Sequence, residues 1–183
     1  YGDHDVKTWL GQLRQAIVHV EGNGRKIGLV VGGGKPAREG IQLAKDLFSD
    51  RFKLDEIGIA ATRLNATVLQ TMLAEIGCNV ADVVPTTTDE AASLFERYDI
   101  VVMGGTKPGH TTDAVSVAFA RDAGSAHVII ATNVSHVYTA DPRTNDDAEP
   151  LDTLTLKELQ DITGKEALQP GQSAAVDPIA VHW

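Results

Sequence analysis

Residues 26–38 read Lys-Ile-Gly-Leu-Val-Val-Gly-Gly-Gly-Lys-Pro-Ala-Arg, and this stretch indicates how the chain folds. The run from Lys26 to Val31 predicts a buried β-strand, because it is short, largely apolar and contains β-branched residues. Gly32-Gly33-Gly34 follow the strand without a spacer, and Pro36 suits the first turn of a helix. A strand that passes directly into a helix through glycines predicts an α/β protein.

The same order of strand, turn and helix recurs along the chain. Asp99 to Met103 predicts a second strand that runs into Gly104-Gly105, and Ala126 to Ala131 predicts a third strand that runs into Thr132-Asn133. Helices between such strands imply right-handed βαβ units, so the predicted fold is a three-layer α/β/α sandwich with a mainly parallel central sheet. Ligands are expected at the carboxyl edge of that sheet, where the loops after the strands gather.

The predicted helices share apolar residues at three-to-four spacing or a capping pattern at their start. They run from Val6 to Val20, from Pro36 to Phe48, through the segment containing Ile57 and Ile76, from Thr87 to about Tyr98, from Thr111 or Thr112 to Ala123, and from Thr155 to Thr163. Capping boxes are expected at two of these starts, pairing Thr87 with Glu90 and Thr155 with Glu158.

Length and composition exclude several classes of protein. The chain has 183 residues, which predicts one domain over residues 1–183. No apolar run approaches the ~20 residues of a membrane-spanning helix, and no signal segment opens the chain. The single cysteine, Cys78, is expected to be a buried structural residue in a reducing, cytoplasmic environment. A formal charge of -9 disfavours duplex nucleic acid as a partner, because most of the surface would repel its phosphates.

The first candidate site is the first loop, Gly32-Gly33-Gly34, together with Arg38. Glycines leave the backbone N–H groups at the helix start free to face an anion, and the helix dipole and Arg38 add positive potential. The alternative is a tight turn with a solvated Arg38. Residues 32–37 also match the dinucleotide-binding pattern Gly-x-Gly-x-x-Ala, and Asp55 lies where the ribose-binding acid of that pattern could be. In a dinucleotide-binding fold this acid ends a second strand, and no such strand precedes Asp55.

The second candidate site is the second loop, residues 104–113, which reads Gly-Gly-Thr-Lys-Pro-Gly-His-Thr-Thr-Asp. It follows a buried strand, so its hydroxyls and amides should meet the first loop at the same sheet edge and suit a pair of phosphorylated ligands. Helix capping alone is an alternative explanation for Thr111, Thr112 and Asp113. His110 has no partner pattern for metal and is expected to be a hydrogen-bonding or surface residue. Neither loop contains the P-loop motif.

The third candidate site is the segment from Ala131 to Pro142. Tyr138 offers a planar face to a nucleotide base, and Asp141 offers an acceptor for a ribose or an amine. A simple turn that begins at Asp141-Pro142 explains the same residues equally well.

Taken together, these stretches resemble the amino-acid kinase superfamily, and most closely the hexameric uridylate (UMP) kinases of the archaeal type. The resemblance covers nearly the whole chain in the right order. The sequences that carry it are Gly32-Gly33-Gly34 with Arg38, Asp55-Glu56-Ile57-Gly58, Ala61-Thr62-Arg63-Leu64-Asn65-Ala66, Gly104-Gly105-Thr106 with Pro108 to Ala114, Ala131-Thr132-Asn133-Val134, and Val137 to Pro142.

The resemblance implies the amino-acid kinase fold and ATP-dependent phosphorylation of UMP to UDP with Mg²⁺, in a homo-oligomer that would be a hexamer. By position, the residues of the UMP site are Gly33, Asp55, Thr106, Lys107, Pro108, Gly109, His110, Thr111 and Thr112. Those of the ATP site are Gly34, Arg38, Thr132, Tyr138 and Asp141. Arg38 is the expected catalytic charge on the transferred phosphoryl group, and Asp113 is expected to orient a donor or to bind metal through water. Residues 1–125 would form the acceptor part and residues 126–183 the ATP part.

Three features differ from the family pattern. The sequence stops at Ala180-Val181-His182-Trp183, within the predicted start of a helix, where the family counterpart continues into further strand and loop. Ser135-His136 stands where the family usually has Asp-Gly. Family members also begin with a strand, a Gly-Gly-Ser-type loop and a lysine for the donor phosphates, so we expect that terminal segments are missing from the chain. A complete chain without them would bind nucleotide with little turnover. Another small-molecule kinase of the superfamily and a catalytically weak nucleotide-binding or regulatory protein are the alternative functions.

Overall fold

The computed structural model describes residues 6–48, 50–132, 135–142, 144–164 and 176–182. In the first two thirds of the chain the order is one helix, one strand, three helices, a second strand and a further helix. The helices are α1 (Val6–Glu21), α2 (Gly34–Ala44), α3 (Arg51–Glu75), α4 (Thr88–Leu94), α5 (Thr112–Asp122), α6 (Leu156–Thr163) and α7 (Pro178–His182), and the strands are β1 (Ile27–Val30), β2 (Ile100–Met103), β3 (Val137–Tyr138) and β4 (Pro150–Leu151).

The central sheet is built on a parallel pair, β1 and β2. Ile27 lies opposite Ile100, and Val30 lies opposite Met103. Val80 adds a single parallel bridge to Ile100. Both strands therefore end at the same edge, directly before the first and second loops, which is the arrangement that a parallel sheet imposes.

Helices cover both faces of this sheet. All four residues of β2 are fully buried, and they alternate between two apolar clusters. Ile100 and Val102 pack in the cluster that contains residues of α1 and α3. Val101 and Met103 pack in the cluster that contains residues of α4 and α5. The alternation follows from the two-residue period of a strand, and it confirms the three-layer α/β/α arrangement.

The third predicted strand was wrong. Residues 126–131 have no regular secondary structure, and Ile129 is 90% exposed. The hydroxyl of Ser125 bonds to the backbone N–H and carbonyl of His127, which turns the chain at the start of the segment. An apolar run becomes a strand only when a neighbouring strand pairs with its backbone, and no strand in the described ranges pairs with this one.

The predicted helix starts are largely confirmed. Thr111 is the residue that caps α5, because its hydroxyl accepts a hydrogen bond from the Ala114 N–H at 3.3 Å. Thr155 and Glu158 form the complete capping box at α6. At α4, Thr87 caps the helix, but the Glu90 carboxylate bonds to the N–H of Thr86 instead of that of Thr87.

Two further sequence expectations concern exposure. No helix in the part of the chain that the structure describes is long and apolar enough to cross a membrane. Cys78 is half-buried against the cluster of α1 and α3. Burial, with the nearby charge of Glu21, raises the pKa of its thiol, whereas Arg14 lowers it. A raised thiol pKa disfavours the reactive thiolate, which agrees with a structural role.

Candidate functional site

The first loop is attached to helix α3 by one side chain. The amide nitrogen of Asn65 donates to the carbonyl oxygens of Gly32 and Gly33, at 2.8 and 3.0 Å. Gly34 adopts a positive φ of 56°, a conformation that glycine takes at little cost. The start of α2 has no side-chain cap, so its first N–H groups are left for another acceptor.

The second loop packs directly on the backbone of α3. Gly104 and Gly105 are buried, and a Cβ added to Gly104 would lie 2.7 Å from the hydroxyl of Thr62 and 2.8 Å from the backbone nitrogen of Arg63. The Thr62 hydroxyl accepts from the N–H of Gly105 at 2.6 Å. Arg63 donates through Nε to the carbonyl of Gly105 at 3.1 Å and through Nη2 to the carbonyl of Thr106 at 3.0 Å.

The two loops lie side by side, as the sequence predicts. A Cβ added to Gly32 would lie 3.8 Å from the hydroxyl of Thr112, which begins α5. Asp55 joins the same region from the other end of the second loop, since its carboxylate accepts from the N–H of Gly109 at 2.9 Å. Asp55 lies within α3 and not at the end of a strand, which excludes the dinucleotide pattern as its explanation.

Asp177 is a residue of this region that sequence reasoning missed. It is 1% exposed, and its carboxylate accepts from the hydroxyl of Thr111 and from the N–H of Ile179. Its own N–H donates to the carboxylate of Asp113 at 3.1 Å. Asp177 thus connects the C-terminal helix α7 to the second loop. Asp followed by Pro178 at a helix start is a capping signal that the sequence does contain.

The local environment changes the pKa values of two residues of the second loop. Burial raises the pKa of Asp113 above its ordinary value; the hydrogen bond from the Asp177 N–H lowers it, and the charge of Asp177 raises it. Burial also lowers the pKa of His110, as does the charge of Lys107, against an opposing effect of Asp177. His110 is therefore disposed to be neutral at pH 7, when its ring can both donate and accept a hydrogen bond.

Arg38 lies on the exposed side of α2. It shares this surface with Lys35, Glu39 and Gln42, and Lys35 pairs with Glu39 at 3.5 Å. Within the described ranges, no hydrogen bond or ion pair connects the guanidinium group of Arg38 to the second loop. The catalytic role of Arg38 stays a prediction.

The third predicted segment forms a small hairpin. Val137 and Tyr138 of β3 pair with Leu151 and Pro150 of β4 in antiparallel register. The Tyr138 hydroxyl lies 3.0 Å from that of Ser135, and the carbonyl of Asp141 accepts from the N–H of Asn145 at 2.9 Å. These contacts match the turn interpretation, and the ATP-site roles of Thr132, Tyr138 and Asp141 stay predictions. Asn133 and Val134 lie outside the described residues.

The described residues contain no group of three or more His, Cys, Asp or Glu side chains that could hold a metal ion. The oxygen atoms that the second loop contains as possible metal ligands belong to threonine hydroxyls, backbone carbonyls and the Asp113 carboxylate. Such a set suits a Mg²⁺ ion that takes most of its ligands from nucleotide phosphates and water.

The structure is an α/β/α fold with two neighbouring glycine-bearing loops at the carboxyl edge of its parallel strands, which is the edge where such folds bind ligands. The chain matches the amino acid kinase family over residues 3–183, and it belongs to that family.

Several known proteins are similar to this chain over most of its length. It is 43% identical over 166 residues to a uridylate kinase of Methanococcus vannielii, covering 91% of this chain and 72% of that protein. It is 42% identical to a uridylate kinase of Halorubrum lacusprofundi, covering 91% of this chain and 68% of that protein. The crystal structure of uridylate kinase from Archaeoglobus fulgidus matches with a TM-score of 0.78 at 38% identity, covering 91% of this chain and 74% of that one. The UMP kinase of Bacillus anthracis, at 24% identity and a TM-score of 0.73, shares the fold.

Proposed function

We propose that the protein transfers the γ-phosphoryl group of ATP to UMP and forms UDP. The similarity to archaeal uridylate kinases at about 40% identity over most of the chain supports this reaction. The structural observation that carries the proposal is the attachment of both loops to one turn of α3, by Thr62, Arg63 and Asn65. This attachment supports the proposal because it holds the two loops next to each other, and transfer between two nucleotides requires neighbouring sites.

The proposed UMP site is formed by the second loop, Asp55 and Gly33. Its uncharged donors and acceptors suit the hydroxyls and the base of a nucleoside monophosphate. One oxygen of Asp55 accepts from Gly109, and among the described residues no hydrogen bond reaches the other oxygen, which would accept from a ribose hydroxyl. Thr112 is placed near the base in this proposal. The individual residues of the UMP site are Gly33, Asp55, Thr106, Lys107, Pro108, Gly109, His110, Thr111 and Thr112.

The proposed ATP site combines the start of α2 with the C-terminal part of the chain. Gly34 and Arg38 face the phosphates, and the uncapped N–H groups of α2 are suited to an anion. Thr132, Tyr138 and Asp141 would receive the adenosine. Residues 1–125 then form the acceptor part of a single domain and residues 126–183 the ATP part.

Phosphoryl transfer depends mainly on positioning and on neutralising charge around the moving group. Arg38 is the proposed cation for that charge. Asp113 is proposed to orient a donor or to hold Mg²⁺ through water. When bound, Mg²⁺ would supply positive charge that offsets part of the negative charge of the phosphate groups.

We also propose that the protein is a homo-oligomer, a hexamer by its resemblance to the family. Several large apolar side chains on α2, α3 and the connection between them lie open to solvent, with Leu43 83% and Phe52 63% exposed. An exposed apolar surface of this kind is typical of a surface that a partner covers. Light scattering on the purified protein measures the assembly, and a monomer at micromolar concentration would contradict this part of the proposal.

The reaction is tested by incubating the natural, full-length protein with ATP and Mg²⁺ and a panel of acceptors. The panel contains UMP, CMP, AMP, GMP and simple carboxylates, and products are identified by ³¹P NMR. Selective formation of UDP is the expected result. Turnover with a different acceptor alone would instead indicate another kinase of the family. Binding of UMP in calorimetry without turnover would indicate a weak nucleotide-binding protein.

A further inference from the structure

We propose that one turn of α3, residues 62–65, is a positioning element that determines the distance between the two substrate loops. This inference rests on the proposed UMP kinase activity and assigns it two positioning residues, Arg63 and Asn65. The juxtaposition behind it is simple: Asn65 binds the first loop and Arg63 binds the second, from positions two residues apart on one helix.

Arg63 is a half-buried cation that donates its hydrogen bonds to neutral backbone carbonyls. It donates to the carbonyls of Gly105 and Thr106, and within the described ranges no carboxylate lies within ion-pair distance of it. Two bonds from one planar guanidinium to successive carbonyls restrict both the position and the orientation of that backbone segment, which a single bond does not. Arg63 therefore determines where the backbone of the second loop begins relative to the helix.

Asn65 acts on the first loop in the same way. It is 7% exposed, and its amide nitrogen uses both N–H groups on consecutive carbonyls, those of Gly32 and Gly33. The first loop has no side chains of its own with which to hold a conformation. A buried side chain from a neighbouring helix therefore supplies the constraint that the glycines lack.

Thr62, which precedes Arg63 in the helix, makes a further contact with the second loop. Its hydroxyl donates to the carbonyl of Ile59 at 2.6 Å and accepts from the N–H of Gly105 at 2.6 Å, so its donor and an acceptor site are both used. Gly104 lies so close to the helix backbone that any side chain there would collide with it. The second loop consequently cannot slide along α3 without breaking these contacts.

A helix turn is a more rigid support than a loop, and this difference bears on catalysis. A displacement of about 1 Å in a reacting group can reduce the rate about 100-fold, because phosphoryl transfer needs aligned donor and acceptor oxygens. Because both loops are attached to one helix turn, the distance between their attachment points is set by the helix. We therefore expect the loss of Arg63 to raise KM for the acceptor nucleotide selectively. We expect the loss of Asn65 to lower kcat.

The test compares Arg63→Ala, Asn65→Ala and the control Thr71→Ala in steady-state kinetics with each substrate varied in turn. Thr71 lies on an exposed part of the same helix, and its hydroxyl bonds to the carbonyl of Thr67. For Arg63→Ala we expect KM for UMP to rise about 10-fold or more, and KM for ATP to change less than about 3-fold. For Asn65→Ala we expect kcat to fall about 100-fold. Thr71→Ala should match the natural protein.

A second measurement separates positioning from folding. Millimolar guanidinium chloride should restore part of the UMP affinity of Arg63→Ala, because the free cation can occupy the vacated place, whereas sodium chloride at equal ionic strength should not. If Arg63→Ala does not fold, Arg63→Lys keeps the charge but loses the paired bonds, and it should show the same selective loss for UMP.

Three results would overturn the inference. One is unchanged kinetics in both variants. The second is an equal rise of both KM values that parallels a lower melting temperature. The third is the absence of rescue by guanidinium. Failure of the proposed function is distinguishable from all three, because it would appear as no UDP formation by the natural protein itself.

Discussion

The carboxylate of Asp55 accepts a hydrogen bond from the N–H of Gly109, with 2.9 Å between Oδ2 and the nitrogen. The two residues are 54 positions apart in the chain. Asp55 lies in the second turn of α3, and Gly109 occupies a left-handed conformation with a φ of 84° in the second loop. The contact holds the outer part of the loop while Thr62 and Arg63 hold its beginning. Its energetic contribution can be measured.

Two replacements of Asp55 distinguish its contact with the second loop from its proposed contact with UMP. Asp55→Asn keeps an oxygen for the Gly109 N–H, whereas Asp55→Ala removes both oxygens. A hydrogen bond to a charged group contributes about 1.5–3 kcal/mol, so KM for UMP should rise about 10- to 100-fold in Asp55→Ala and less in Asp55→Asn. KM for ATP should stay nearly constant. Equal effects on the two substrates would argue against Asp55 as a residue of the acceptor site.

Gly104 should not tolerate a methyl group. A Cβ there would lie 2.7 Å from the Thr62 hydroxyl and 2.8 Å from the Arg63 nitrogen, and the helix backbone cannot move aside. Gly104→Ala is expected to destabilise the protein by about 1–3 kcal/mol in urea unfolding. Gly11→Ala is the control, because nothing lies within 4 Å of its Cβ and it is within α1. That change should stabilise the protein by about 0.5–1 kcal/mol, since alanine favours a helix.

Asp113 should make stability depend on pH. Folding raises the pKa of Asp113, mainly through burial. The protonated side chain therefore adds to the free energy of unfolding. This addition is complete below the ordinary aspartate pKa of about 3.9 and is lost as pH rises through the raised pKa. Asp113→Asn cannot ionise and can still accept from the Asp177 N–H. The variant should therefore be more stable than the natural protein at pH 7, with a difference that shrinks on acidification. Urea unfolding at several pH values provides the measurement, and a difference that grows towards acid would show that the sign is wrong.

The pKa of His110 should depend on the charge of Lys107. Burial and Lys107 both lower the His110 pKa, so Lys107→Gln should raise it towards the ordinary value while burial keeps part of the depression. The imidazole proton signals in an NMR titration follow this change directly. Lys157→Gln, on α6, is a charge-matched control that should leave His110 unaffected. An unchanged His110 titration in Lys107→Gln would mean that the lysine charge does not reach the ring.

Most of the fold could be predicted from local patterns. The β1 strand, the glycines after it and the long α3 helix all have the expected places, because their signals are apolar periodicity and turn chemistry within a few residues. The prediction of a third strand at residues 126–131 was wrong, because a strand depends on more than its local pattern. Its apolar composition is local, but strand formation requires a partner that composition does not reveal.

The candidate site was predictable only in part. The two glycine loops could be placed at one sheet edge from the parallel order of the strands, and the structure brings them together. Asp177 could not be found in this way, since its burial beside Asp113 depends on how helix α7 packs on α5. The roles of Arg38 and Tyr138 stay predictions.

The amino-acid sequence alone was enough to predict strands β1 and β2, the main helices, the glycine loops and the family resemblance, because each depends on residue types at short spacing along the chain. Tertiary structure alone decided that α3 holds both loops through Thr62, Arg63 and Asn65, and that Asp177 closes the second loop from the C-terminal side. Such contacts join residues that are 30 or more positions apart, and hydrogen bonds between them depend on distance in space, which packing of the helices on the sheet sets.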